Sequence, residues 1–127
     1  MRPRRLRGEA GSTTELVLAF PAFFLLIFIA IQFALWYHAS HVALAAAQEG
    51  ARAARVSGDQ AAGETRTNYF LDHLSPAVIT GRQVQATADT DNVRVDVWGT
   101  AESILPGFKL TIHEHSQGPV ERFRGDK

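Results

Sequence analysis

LVLAFPAFFLLIFIAIQFALWY, residues 16–37, is apolar throughout except for Gln32. As an α-helix rising about 1.5 Å per residue, it spans roughly 33 Å, close to the roughly 30 Å hydrocarbon core of a bilayer. Apolar side chains lie on every side of it, whereas a helix on the surface of a soluble domain keeps a polar face. No Asp, Glu, Lys or Arg occurs between Glu15 and Glu49. The stretch predicts one transmembrane helix over 16–37.

The charges on either side set its direction. Residues 1–14 carry Arg2, Arg4, Arg5 and Arg7 against Glu9, whereas His38 to Ala51 contain no Lys or Arg. Basic residues stay on the cytoplasmic side of a span, so the N-terminus is expected in the cytoplasm and the remainder outside. Trp36 and Tyr37 are then expected as the outer aromatic anchor. A cleavable signal peptide is the competing reading, with Ala43-Leu44-Ala45 as its cleavage site. The apolar run is longer than such peptides carry, and the site lies well beyond its end. An uncleaved anchor is expected.

The 127 residues hold 13 basic and 13 acidic groups, and hence a net charge of zero that conceals a basic leader ahead of a more acidic remainder. There is no cysteine, which excludes disulfides and thiolate metal or redox sites. The expected organisation is a cytoplasmic basic leader (1–15), the transmembrane helix (16–37), its extracytoplasmic continuation (38–57) and a small module (58–127).

Ser12-Thr13-Thr14-Glu15 fits a capping box, with Ser12 at the N-cap and Glu15 three positions on. Glu15 has a second reading, as a carboxylate paired with a positive group on a neighbouring subunit. Pro21 removes a backbone donor and predicts a bend near Val17–Pro21. Beyond the membrane, HASHVALAAAQEGARAARV is Ala-rich and free of proline, so the helix is expected to continue to about Val56 and to stop at Ser57-Gly58. Ala39, Ala43, Ala47, Gly50 and Ala54 form a stripe of small residues along it. Such a stripe lets another helix approach closely. Glu49 and Arg52, three apart, are placed to pair.

Two pieces of the chain, RGEAGSTTELVLAFPAFFLLIF and ALAAAQEGARAARV, resemble the TadE-like minor pseudopilins of tight-adherence (type IVc) pilus systems. The shared features are a basic leader, a Glu that opens the membrane helix (Glu15), a following proline (Pro21) and the run Gln48-Glu49-Gly50-Ala51-Arg52-Ala53-Ala54. The resemblance covers about residues 8–56. It implies a structural role in pilus assembly or a related secretion apparatus, with other pilus subunits and inner-membrane assembly proteins as partners. It also implies a prepilin peptidase that cuts near Ala10, Gly11 and Ser12. Cutting after Gly11 leaves Glu15 as the fourth residue, and cutting after Ala10 leaves it as the fifth without the family's glycine.

The remainder reads as a small α+β module. Asp59–Leu74 predicts a second helix whose apolar side comprises Ala62, Tyr69, Phe70 and Leu74. The period then changes to two. Val84, Ala86 and Ala88, a turn at Asp89–Asn92, and Val93, Val95 and Val97 predict a hairpin. Leu110, Ile112 and Glu114 predict a third strand after the Pro106-Gly107 break, and Gln117–Lys127 a loose or sheet-packed tail that includes Val120 and Phe123. The His113/His115 and His38/His41 pairs lack a third ligand, so surface histidines are expected rather than a metal site. No nucleophile triad, phosphate-binding glycine loop or catalytic carboxylate pair is recognisable. Neither an enzyme nor a cofactor is therefore expected, and the arginine arm is read as a topology signal rather than a nucleic-acid contact. An alternative to the pilus reading is a bitopic protein displaying a small adhesive or ligand-binding domain.

Overall fold

A computed structural model describes residues 9–122. The expectations for the arginine arm and Phe123 fall outside this range, and nothing is described of the Ala10 side chain. The elements run α1 (Glu9–Ser57), α2 (Gln60–Leu74), β1 (Ile79–Ala88), β2 (Asn92–Ala101) and β3 (Thr111–Pro119). This is the expected α+β arrangement of a long helix, a second helix and a three-stranded antiparallel sheet in the order β1-β2-β3.

At 49 residues, α1 is about 74 Å long. It passes through Ser12, so the N-cap expected there is not used: the helix already begins at Glu9. Pro21 lies inside the continuous helix. Its C-terminal end falls where Ser57-Gly58 indicated. Gly58 has φ +69° and donates its N–H to the Ala54 carbonyl at 2.8 Å, the left-handed helix stop that glycine adopts without a Cβ clash. Asp59 then caps α2, its Oδ1 accepting from the Ala61 N–H at 3.0 Å.

The small-residue stripe of α1 is covered by the chain itself. Ala39, Ala43, Ala46, Ala47, Ala51 and Ala54 are all buried, with α1 lying across β2 and β3 and against α2. Gly50 meets Gly63 at the helix crossing. A Cβ on Gly50 would overlap Thr67 Oγ1 and lie 2.8 Å from the Gly63 carbonyl oxygen. The stripe does allow close helix packing, but its partner is α2 of the same chain rather than another subunit. The location of the stripe also counts against a signal-peptide cut after Ala45, which would remove Ala39 and Ala43 from the core.

The buried face of α2 is Gly63, Thr67 and Leu71. Of the expected side, Ala62, Tyr69, Phe70 and Leu74, Phe70 packs partly buried against the core. Tyr69 and Leu74 are exposed. Close approach to α1 selects small residues at the crossing, and that requirement outweighs hydrophobicity. Thr67 satisfies its hydroxyl by donating to the Gly63 carbonyl at 2.8 Å. Glu49 pairs across the helices with Arg66 at 3.6 Å, rather than with Arg52.

The hairpin forms as read, with Ala88 opposite Val93 and Ala86 opposite Val95. Val93, Val95 and Val97 face the helices and are fully buried. The strands extend further than expected. The β3 strand includes Gln117–Pro119, so the start of the predicted tail is part of the sheet. The residues after it are also held: the Val120 N–H donates to the Asp91 carbonyl at 2.9 Å and the Glu121 N–H to the Arg55 carbonyl at 3.1 Å.

The helix crossing yields a direct prediction. Gly50→Ala lowers the stability of the folded module by about 1–3 kcal/mol through overpacking. Val56→Ala, at an exposed position of the same helix, changes it by less than about 0.5 kcal/mol. Thermal unfolding followed by circular dichroism of both variants in detergent measures the difference.

Candidate functional site

Below the module, α1 continues with its apolar side chains uncovered. From Leu16 to Ile31 the large hydrophobic residues are exposed, Leu18 by 73% and Phe23 by 60%. Among the described residues this is one helix long and apolar enough to cross a membrane, with a mean hydropathy of 2.6 in its most apolar window. A core helix of a soluble protein would be mostly buried, whereas only 6% of this window is. Contiguous apolar surface of this extent marks contact with lipid or with another protein.

The change from uncovered to covered helix occurs at Gln32, which is 2% exposed. Its Nε2 donates to the Glu102 carbonyl at 3.3 Å. Its Oε1 accepts from Ser103 Oγ and from the Ile104 N–H, both at 3.0 Å. One turn further on, Trp36 donates from Nε1 to the Thr111 carbonyl at 3.2 Å, so its indole belongs to the module's edge, while Tyr37 remains exposed. Of the two residues expected as an aromatic anchor, only Tyr37 stands clear of the protein. The module therefore grips the helix inside the stretch read from sequence as the span.

The positions singled out from sequence separate into two groups. Gly11, Ser12, Glu15 and Pro21 lie on the uncovered part of α1. Ala43, Ala47, Gly50 and Ala54 lie in the module core, with Glu49 and Arg52 at the rim of the α1/α2 seam beside Arg66. The structure does not bring the two groups together.

The sheet face turned away from the helices carries a cluster that the sequence reading missed. Arg94 binds Asp96 through both Nε and Nη2, each at 2.8 Å, and His113 Nε2 donates to the same carboxylate at 2.9 Å. The His113 ring stacks on Trp98 with centroids 4.9 Å apart. The Arg94 hydrogen bonds hold the Asp96 carboxyl down at about 2, with His113 adding to the effect and desolvation opposing it. Arg94, Asp96 and Trp98 alternate along one strand, so a shared face was readable. The partnership with His113 depends on the β2–β3 register, in which Trp98 pairs with His113. Among the described residues no group of three or more His, Cys, Asp or Glu could hold a metal ion. The cluster is an ion-paired, aromatic-capped surface.

The family model described as TadE-like protein matches residues 11–52. No curated protein and no solved structure matches the chain.

Because Asp96 has a lowered carboxyl pKa in the folded state, the stability it contributes is fully present above about pH 4 and disappears as the pH falls toward 2. Asp96→Asn is expected to flatten the acid limb of a melting-temperature profile between those values. An unchanged acid limb would show that the cluster adds nothing to the fold. Residues 11–52 thus match the TadE-like model, and the match and the uncovered helix together fit a single-pass membrane protein associated with a Tad-type pilus.

Proposed function

We propose that the chain is a structural, non-enzymatic subunit of a tight-adherence pilus or related secretion apparatus, acting as a minor pseudopilin through its N-terminal helix. The observation that carries this reading is where the family match falls. It covers the uncovered apolar helix and the Ala-rich continuation, and it stops before the α2–sheet module. In this reading the arginine arm lies in the cytoplasm and the module on the outer side of the cytoplasmic membrane.

Because Ala43, Ala47, Gly50 and Ala54 are used inside the module, contacts with other subunits in this reading run lower on α1, along residues 11–31. Two features there suit assembly. Glu15 puts a carboxylate at the start of the apolar surface, where a buried charge needs an opposite charge nearby. An α-amino group freed by cleavage beside Ala10 or Gly11 on a neighbouring subunit would supply one. Pro21 lacks the N–H that the Val17 carbonyl would accept in a regular helix, which gives the helix a point at which to adjust during packing.

In cells that assemble such pili, Glu15→Ala lowers the number of assembled filaments several-fold while the outer module still unfolds cooperatively. Electron microscopy of the filaments, together with unfolding of the purified variant, tests both halves. Filaments at the parental level with Glu15→Ala would overturn the pairing role of this carboxylate.

A further inference from the structure

The loop between β2 and β3 has a character that the fold alone does not require. Leu105-Pro106-Gly107-Phe108 forms a tight turn in which the Phe108 N–H donates to the Leu105 carbonyl at 3.3 Å and Gly107 takes φ +80°. Proline followed by a left-handed glycine is the pattern of a type II turn. Ile104 and Phe108 stand out from it, 47% and 51% exposed. Glu102 and Lys109 flank this apolar tip. Leu105, Phe108 and Leu110 face Ile29, Gln32 and Phe33 of α1 across an apolar cleft of about 220 Å³.

The level of the loop along α1 is decisive. Gln32 holds it through the three hydrogen bonds described above, and Gln32 lies five residues before Tyr37, or about 7.5 Å lower on the helix. The uncovered run from Leu16 to Ile31 measures only about 24 Å, short of a hydrocarbon core of roughly 30 Å. A core centred on this uncovered run extends about 3 Å past each end, to the level of Gln32, and the loop meets its outer boundary. The chemistry suits that position. The Gln32 amide is satisfied by protein, so it is not left unpaired beside lipid. A Phe and an Ile facing outward with a Lys beside them match the aromatic and basic side chains that favour the headgroup level.

We propose that the Glu102–Leu110 loop is a second membrane contact, seating Ile104 and Phe108 in the outer interface of the bilayer beside α1. This rests on the reading of residues 16–37 as membrane-spanning. The helix and the loop then form a two-point anchor that fixes the tilt of the module over the membrane, with Gln32 as the clasp between them.

The absence of native cysteine permits single-site labelling. Ile104→Cys, Phe108→Cys, Phe28→Cys and Thr90→Cys, each in the full chain, are labelled with bimane. They are reconstituted at a low protein-to-lipid ratio into phosphatidylcholine vesicles containing doxyl-labelled lipid. Labels at 104 and 108 are expected to be quenched several-fold more than the label at 90 in the distant hairpin turn, most strongly by shallow quenchers, and the label at 28 by deep ones. If 28 is quenched while 104 and 108 behave like 90, the loop contact is overturned and the membrane helix stands. If 28 is not quenched, the membrane reading fails and the loop proposal with it.

Discussion

One helix has to satisfy two solvents, and the remaining architecture follows from where it changes between them. Up to Ile31, α1 offers large exposed apolar side chains on all sides, with Ile29 bordering the loop cleft. From Gln32 onward the same helix is the backbone of a packed module, its inner face reduced almost entirely to alanine and glycine. A bundle of large residues would fit the first environment and would hold the sheet and α2 too far away in the second. The switch is sharp because Gln32 is a polar residue in an apolar run, satisfied only by the loop that closes over it.

The module's mechanics follow from this division. Alanine on α1 lets valines of β2 and the Gly63–Thr67–Leu71 face of α2 come close, so a small core is dense despite few large side chains. At the far end, Arg55 binds the Pro119 carbonyl and Glu121, tying the end of α1 to the end of β3. At the near end, Trp36 and Gln32 tie it to the start of β3 and to the preceding loop. The helix is therefore fastened along the whole length of the sheet.

Much of this was legible in the sequence for identifiable reasons. The uncharged run after Glu15 declared the membrane helix, the Ser57-Gly58 stop declared its end, and the period-two valines of β2 declared the hairpin. The stripe Ala43, Ala47, Gly50 and Ala54 declared close packing but not its partner, because spacing on one helix says nothing about which helix lies opposite. The α2 face was misread in part for a related reason: Phe70 does pack against the core, but Tyr69 and Leu74, which carry more apolar area than Gly63 and Thr67, stay exposed because steric room at the crossing selects the smaller pair. The clasp at Gln32 and the Arg94–Asp96–His113 cluster depend on contacts between residues far apart in the chain, which no local pattern encodes. Gln32 was visible only as an interruption of the apolar run.

Whether lipid is the solvent of residues 16–31 is decided most directly by alkaline carbonate extraction of membranes from cells producing the full chain, since high pH strips peripheral and water-soluble proteins but leaves spanning helices in place. Complete retention in the pelleted bilayer, with release only on adding detergent, is the result expected. Recovery of the intact chain in the aqueous supernatant would contradict a membrane-spanning helix.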